Sequence, residues 1–237
     1  MIRTVRPRAT EIDTTTLDPG QRFLQFLGDK TYPCVGAKSA LTRGSIETHM
    51  FDRLGDRAND QLIVDGLAQF VARIEADACD KDIVHSYVAI FRGPFNMDEF
   101  RFESLMWSQL WRIHKLDIAA GNLPADDVSS NPDSPRFSLS VAGHPFFLIG
   151  LHPQASRFAR RFSHPVLVFN SHRQFEKLRI DGRFKKMQAA TRIRDIELQG
   201  TMNPNLANFG VASEARQYSG REVKDNWRCP FDFKGKL

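Results

Sequence analysis

Apolar residues along the chain fall into two kinds of spacing, and each kind predicts a different secondary structure. Residues 60–76 repeat apolar positions every three or four residues, which is the period of a helix that buries one face. Cap-forming polar residues, glycine and proline indicate where such segments begin and end. Two predicted helices are 21–30 and 60–76. A third is capped by Asn96 and runs to about Lys115, with bulky side chains from Phe100, Leu105, Trp107 and Trp111. A fourth, long helix begins at His172, with Ser171 as its cap and Gly182 as a residue that can interrupt it.

Short apolar runs rich in β-branched and aromatic residues predict the strands. The predicted strands are 45–51, 84–92, 136–143 and 144–151 on either side of a turn at 143–145, and 165–170. Helices and strands are interspersed without a regular alternation of strand, helix and strand. The pattern therefore predicts an α+β domain with a mixed sheet flanked by helices.

Composition is that of an ordinary globular protein. The chain has 237 residues, 41% of them hydrophobic, and we expect one domain over 21–237 after a flexible, polar N-terminal arm over 1–20. No apolar run approaches the roughly 18 residues of a membrane span, and no apolar core of a signal peptide is present. Three widely separated cysteines fit neither a disulfide framework nor a zinc site. We therefore expect a cytoplasmic protein with no membrane partner.

Positive charge is concentrated in the last third of the chain. Residues 151–237 hold 17 Lys and Arg against 8 Asp and Glu, whereas residues 1–150 hold 16 against 20. This asymmetry predicts a surface or cleft that meets an anion, which can be nucleic acid, a phosphate or a ligand with carboxylates. Solvated helix faces account for many of these side chains equally well.

One segment gathers most of the candidate chemistry. His152 directly follows the apolar run FFLIGL, and His172 begins a helix directly after another strand, so both are expected at strand ends, where side chains project into crevices. Arg157, Arg160 and Arg161 follow within two helical turns. An imidazole for a metal and guanidinium groups for carboxylates would suit an anionic metal cofactor such as haem. Such histidines more often cap or hydrogen-bond, and such arginines more often form a solvated face or a phosphate patch.

Six motifs resemble those of one protein family. In chain order they are PCVGAKSAL, GLHPQASRFARRF, VFNSHRQFEKLR, IRDIELQGTMNP, SEARQYSGR and WRCPF, and they extend from about Tyr32 to Phe231. Their order and number make the resemblance to the YqcI/YcgG family specific. Within that family, the PCVGAKSAL form most resembles the haem-dependent enzymes that N-hydroxylate guanidino groups, such as the guanitoxin-pathway hydroxylase and the arginine hydroxylase of cycloserine biosynthesis.

The resemblance implies a haem-dependent monooxygenase. Its cofactor would be a b-type haem with iron held by histidine, its co-substrate dioxygen, and its electron donor a reductase. The substrate would be a small guanidino compound, either arginine or an arginine-derived cyclic guanidine. The resemblance leaves homodimerisation open.

The resemblance also implies which residues hold the haem. His152 is the expected iron ligand, with His172 as its competitor or distal partner. His49 is a third candidate, because strand alternation places it on one face with Glu47 and Phe51. The expected partners of the propionates are Arg157, Arg160 and Arg161.

The substrate is expected to meet a second set of residues. A guanidinium requires an acidic partner, for which Glu214 is the first candidate and Asp195 the second. Arg216 or Arg221 would bind the substrate carboxylate, and Tyr218 would donate a hydrogen bond near bound oxygen.

Two alternatives stay open. Cys229 is a rival iron ligand that ranks below histidine, because a thiolate pushes electron density onto iron. A buried structural thiol explains Cys229 equally well and is the preferred interpretation of Cys34.

A function of another class is a cofactor-free basic module that binds nucleic acid or an acidic protein. The cations are interleaved with apolar strand segments and show no RNP-like or helix-turn-helix pattern, so a cleft is favoured over a nucleic-acid surface.

Overall fold

Seven helices and five strands make up the part of the chain that the computed structural model describes, which is 17–76, 83–206 and 208–230. The predicted arm, 1–20, lies mostly outside these residues, and its last two residues already belong to the first helix. The helices are α1 (Pro19–Gly28), α2 (Val35–Thr42), α3 (Ala58–Ala76), α4 (Glu99–Ala119), α5 (His172–Ile180), α6 (Arg183–Gln199) and α7 (Ala215–Tyr218). The strands are β1 (Ile46–Phe51), β2 (Ser86–Phe91), β3 (Leu139–Val141), β4 (His144–Leu151) and β5 (Val166–Ser171).

The strands form one mixed sheet in the order β1-β2-β5-β4-β3, which confirms the predicted α+β class. β1 and β2 are parallel, and all other neighbours are antiparallel. β3 and β4 form the predicted hairpin, but its turn consists of Ala142 and Gly143, with φ of 53° and 69°. Two positive φ values in a two-residue turn match the right-handed twist of the strands. Pro145, predicted in the turn, instead pairs with Ser140 inside the ladder.

The two faces of the sheet are covered by different helices. Because alternate side chains of a strand point to opposite faces, each strand contributes to both. On the face that we call the α4 face, Tyr87 and Phe169 pack with α3 and α4 in a continuous core. On the opposite face, which we call the α1 face, Val88, Leu151 and Val166 pack with α1.

Helix α4 shows how the α4 face is built. Its N-cap is Asp98, whose carboxylate accepts a hydrogen bond of 2.7 Å from the main-chain N of Arg101, so the prediction of Asn96 as cap was wrong. Such a cap stabilises a helix by about 1 kcal/mol. Phe102, Met106 and Leu110 follow one another every four residues and are fully buried. Phe100, predicted as core bulk, is 67% exposed.

Helices α5 and α6 divide where the sequence predicted an interruption. Gly182 has a φ of 78°, a conformation that favours glycine, and separates the two helices. The side chain of Ser171 does not cap α5, because its Oγ lies 2.8 Å from Nε2 of His144. Asp195 is the one buried residue that α6 contributes among the residues described. Helix α6 therefore buries far fewer side chains than α4.

In the described part of the chain, no helix combines the length and the apolar character that crossing a membrane requires.

Candidate functional site

A cavity of about 260 Å³ lies between the α1 face of the sheet and a cover formed by α5, α6 and the segment 203–217. This volume is slightly below the roughly 300–1000 Å³ of most small-molecule pockets. Strand residues such as Val88, Ile149 and Val168 form an apolar floor. The ionisable side chains that line the cavity are Tyr32, Cys34, Arg157, Arg160, His172, Arg179, Arg192, Asp195 and Glu214.

Strand direction decides where the two predicted strand-end histidines lie. β4 and β5 are antiparallel, with Leu151 opposite Val166 and Phe146 opposite Ser171. His152 follows the end of β4 and His172 follows the end of β5, so the two residues lie at opposite ends of the sheet. One metal cannot be shared by both.

Strand alternation decides which histidine reaches the cavity. Val168, Asn170 and His172 continue the α1 face of β5 and line the cavity. His152 instead stacks on Phe102 of α4, with ring centroids 4.5 Å apart, and is fully buried. Burial lowers the pKa of His152 to about 4. The expected iron ligand therefore lies on the other side of the sheet.

His49 lies on the α4 face as well. It shares that face with Glu47 and Phe51, as alternation predicted, and its ring stacks on Tyr87 with centroids 4.3 Å apart. All seven histidines of the chain fall within the described residues, and His172 alone lines the cavity. The three candidate histidines thus do not converge.

His172 and Glu214 form a buried pair at the cavity wall. Nε2 of His172 lies 3.4 Å from Oε1 of Glu214, and the two side chains are 3% and 4% exposed. Neither Nε2 of His172 nor Oε2 of Glu214 has a hydrogen-bond partner among the described residues. Leaving a buried polar atom without a hydrogen bond costs about 1–3 kcal/mol, so a ligand that supplied partners to these two atoms would be stabilised at this wall.

Arg157 and Asp195, both predicted site residues, line the cavity but are paired with each other. Nη2 of Arg157 donates to Oδ2 of Asp195, and the same nitrogen donates to the main-chain oxygen of Thr201. The pair is buried and connects the segment after β4 to α6. Sequence proximity had suggested instead that Arg157 was available for a cofactor.

Arg160 and Arg161 have different environments although they are adjacent. Arg160 lines the cavity and donates to the main-chain oxygens of Gly150 and Gln217, and burial lowers the pKa of its guanidinium. Arg161 lies outside the lining and donates to the main-chain oxygen of Ala155. Of the three arginines predicted to bind the propionates, Arg157 and Arg160 therefore line the cavity and Arg161 does not.

Two cavity arginines were missed by the sequence reasoning. Arg192 of α6 has a buried Nε without a hydrogen-bond partner among the described residues. Arg179 of α5 lies over the rings of Phe184 and Phe209, 4.6 and 5.4 Å from their centroids, and forms an ion pair with Glu176. The available signal was helical spacing: α6 turns Phe184, Met187, Gln188, Thr191, Arg192 and Asp195 toward the cavity.

The wall formed by α1 and α2 contributes a thiol. Cys34 is the N-cap of α2, a helix that the sequence did not predict, and its Sγ accepts a hydrogen bond of 3.4 Å from the main-chain N of Ala37. Burial raises the pKa of the Cys34 thiol, while the N–H groups of Ala37 and Gly36 and the charge of Arg160 act to lower it. The PCVGAKSAL motif thus places a capped thiol at the cavity.

The remaining predicted site residues lie outside the lining. Tyr218 is fully buried under β4 and donates a 3.3 Å hydrogen bond to the main-chain oxygen of Phe146; burial raises its pKa. Arg216 donates to the main-chain oxygens of Lys224 and Asp225, and Arg221 forms an ion pair of 2.6 Å with Glu103. Cys229 packs against the core of the α4 face.

Comparison with known proteins places the chain in one family. A model of the YqcI/YcgG family matches residues 23–232, which is most of the chain. No curated protein and no solved structure matches it.

Proposed function

The chain belongs to the YqcI/YcgG family, and on that premise we propose that it is a haem-dependent monooxygenase that uses dioxygen to N-hydroxylate the guanidino group of a small amino-acid substrate, arginine or an arginine-derived cyclic guanidine. One observation carries the proposal: the buried carboxylate of Glu214, at the wall of the cavity, has an oxygen with no hydrogen-bond partner among the described residues. A buried carboxylate requires a cationic donor, and a guanidinium is such a donor.

The substrate side of the site is formed by Glu214 and His172. Oε2 of Glu214 would accept from the guanidinium, while Oε1 faces Nε2 of His172 at 3.4 Å. The imidazole keeps the carboxylate in place and can hold a proton at Nε2. Asp195 is the second acidic residue of the cavity, but Arg157 already occupies its Oδ2.

The proposal implies that a b-type haem would bind in this cavity. Cys34, His172, Tyr32 and Met187 line the cavity and carry atoms that can donate to iron, and the apolar floor suits a flat macrocycle. Arg192, whose buried Nε has no hydrogen-bond partner among the described residues, would meet a carboxylate, whether a propionate or that of the substrate. Arg179 would contribute a second positive charge beside its ion pair with Glu176. A ligand larger than the cavity would require α6, whose one buried residue among those described is Asp195, to move outward.

The protein and the cofactor would contribute different things to the reaction. Haem, when bound, supplies the activation of dioxygen and the transfer of oxygen, with electrons from a reductase. The chain orients the guanidino nitrogen through Glu214 and excludes water by Val88, Ile149 and Val168 on the floor of the cavity.

Reconstitution with haem tests the proposal. Purified protein given haem should develop a Soret band and, with a reductant and dioxygen, convert arginine or a cyclic analogue to its N-hydroxy product. Glu214→Gln should keep the band but raise KM at least about tenfold, since a hydrogen bond to a charged group contributes about 1.5–3 kcal/mol. Glu222→Gln, an exposed acid outside the cavity lining, is the matched control. Protein that shows no Soret band after reconstitution would refute the proposal.

A further inference from the structure

The thiol of Cys34 and the imidazole of His172 come from different elements that line the cavity, and both groups can bind iron. Cys34 comes from the wall of α1 and α2, where it packs against the apolar cluster of the α1 face. His172 comes from the opposing cover, where it contacts Phe209 at 4.4 Å between ring centroids and Glu214 at 3.4 Å. The two residues therefore reach the cavity from different segments of the chain.

The position of Glu214 indicates on which face of a bound haem His172 would lie. In the proposed function, Glu214 binds the substrate guanidinium, and His172 is in contact with that carboxylate. Substrate and oxygen react on one face of a haem, and the protein ligand binds iron from the other face. A histidine beside the substrate acid is thus on the reacting side.

Burial raises the pKa of the Cys34 thiol, and several neighbouring groups act in the opposite direction and would stabilise a thiolate once it is bound to iron. Its Sγ lies at the N-terminal end of α2, where the helix dipole is positive, and accepts the N–H of Ala37. Arg160 adds a positive charge near the sulfur. A Cβ atom at Gly36 would approach Sδ of Met187 to 3.3 Å, so glycine allows Met187 of α6 to pack closely beside the residue pair Cys34 and Val35.

A second observation, independent of the cysteine, indicates a ligand in this cavity. The buried atoms Nε2 of His172 and Oε2 of Glu214 both lack partners among the described residues, and both residues line the same cavity as Cys34. Cys34 therefore lines a cavity in which two other buried polar atoms have no hydrogen-bond partner among the described residues.

We propose that Cys34 is the iron ligand of the haem, bound through Sγ as a thiolate whose proton passes to solvent, and that His172 serves the substrate side. This inference rests on the proposed function and replaces histidine ligation with thiolate ligation. A thiolate pushes electron density onto iron and favours cleavage of the O–O bond, which suits an oxygenase.

Spectra of the ferrous carbon monoxide complex test the assignment without any turnover. Haem-loaded wild-type protein should show the strongly red-shifted Soret band of a thiolate ligand. His172→Ala and the matched control Cys229→Ser should keep that band, whereas Cys34→Ser should lose it, either to an unshifted band or to loss of haem. Circular dichroism of Cys34→Ser and Cys34→Ala shows whether the variants are folded.

The spectra distinguish a failure of this inference from a failure of the proposed function. An unshifted band in the wild type, or a red-shifted band that survives in Cys34→Ser, would overturn thiolate ligation by Cys34 and leave a haem protein. No Soret band in any protein would refute the proposed function itself.

Alkylation of the thiol gives a readout that does not depend on the spectrum. Iodoacetamide followed by peptide mass spectrometry should modify Cys34 at least about tenfold more slowly in haem-loaded than in haem-free protein, because metal coordination removes the nucleophilic sulfur. Cys229, outside the cavity lining, should react at the same rate in both. Equal rates for Cys34 with and without haem would contradict the assignment.

Discussion

The two faces of the same sheet differ in what they are packed against. On the α4 face, Phe102, Trp107 and Phe169 are fully buried in a continuous core. On the α1 face, the same strands meet a cavity covered by α6, a helix that buries little more than one aspartate. One face thus supplies stability, while the other exposes a mixture of apolar and charged side chains to a ligand. Neighbouring residues of one strand can therefore have opposite roles.

Adjacent phenylalanines in β4 should show the largest difference. Phe146 is fully buried on the α4 face, and Phe147 is partly buried and lines the cavity. Phe146→Ala should lower the free energy of unfolding by about 3–5 kcal/mol, whereas Phe147→Ala should lower it by about 1–2 kcal/mol because less packing is lost beside an existing space. Urea denaturation measures both. Equal losses would show that the two faces are packed equally well.

The buried histidine of the α4 face should make stability depend on pH. The folded protein keeps His152 neutral down to its lowered pKa of about 4, whereas the unfolded chain takes up the proton near pH 6.5. The unfolded state therefore binds more protons in this window, and stability should fall by about 3 kcal/mol as the pH decreases from 6.5 to 4. His152→Gln should remove that part of the loss in denaturation curves measured across this range. A variant that loses as much stability as the wild type would contradict this origin.

A smaller effect on stability is expected at the ion pair of Arg157 and Asp195, which connects α6 to the segment after β4. Arg157→Met leaves the buried carboxylate of Asp195 without its partner, so α6 should open more easily. We expect amide exchange in α6 to accelerate about tenfold, or about 1.4 kcal/mol, and exchange in α4 to change little. Arg161→Met is the matched control, since that side chain bonds only main-chain oxygens and has an exposed position. Uniform acceleration in both helices would mean that the two faces unfold together.

The smallest effect is expected in the binding of nucleic acid to the positively charged last third of the chain. Several cations of the last third have acidic partners, namely Arg157 with Asp195, Arg173 with Asp127, Arg183 with Asp181 and Arg221 with Glu103, and others line the cavity. We therefore expect no measurable binding of DNA or RNA at low salt. A steep salt dependence of measurable binding would instead support the basic binding module.

Local pattern was sufficient for much of the fold. The apolar periodicity of α3, the alternating runs of β2, β4 and β5 and the glycine that ends α5 predicted elements that the structure confirms, within a few residues. Caps were predicted less well, since Asp98 and Asn96 are equally good cap-forming residues by type and only the path of the chain selects between them. Helix α2 was missed because its eight residues carry little amphipathic signal.

The site was predicted only in part, and the reason is geometrical. Sequence proximity grouped His152, Arg157, Arg160 and Arg161, but side chains of one strand and its following turn point in different directions. Arg192 and Asp195 lie far from Cys34 in sequence, and only the packing of α6 over the sheet brings them to one cavity. Cys34 and Cys229 were indistinguishable as thiols until their neighbours were known.

The sequence by itself determined which segments form helices and strands, the α+β class, the family motifs and the excess of positive charge in the last third, because each of these depends on residue type and local spacing. Tertiary structure alone decided that β4 and β5 are antiparallel, which separates His152 from His172, and which face of each strand meets the cavity. A side chain's type fixes the chemistry that it can perform. Whether it performs that chemistry depends on strand direction and register, which long-range pairing sets.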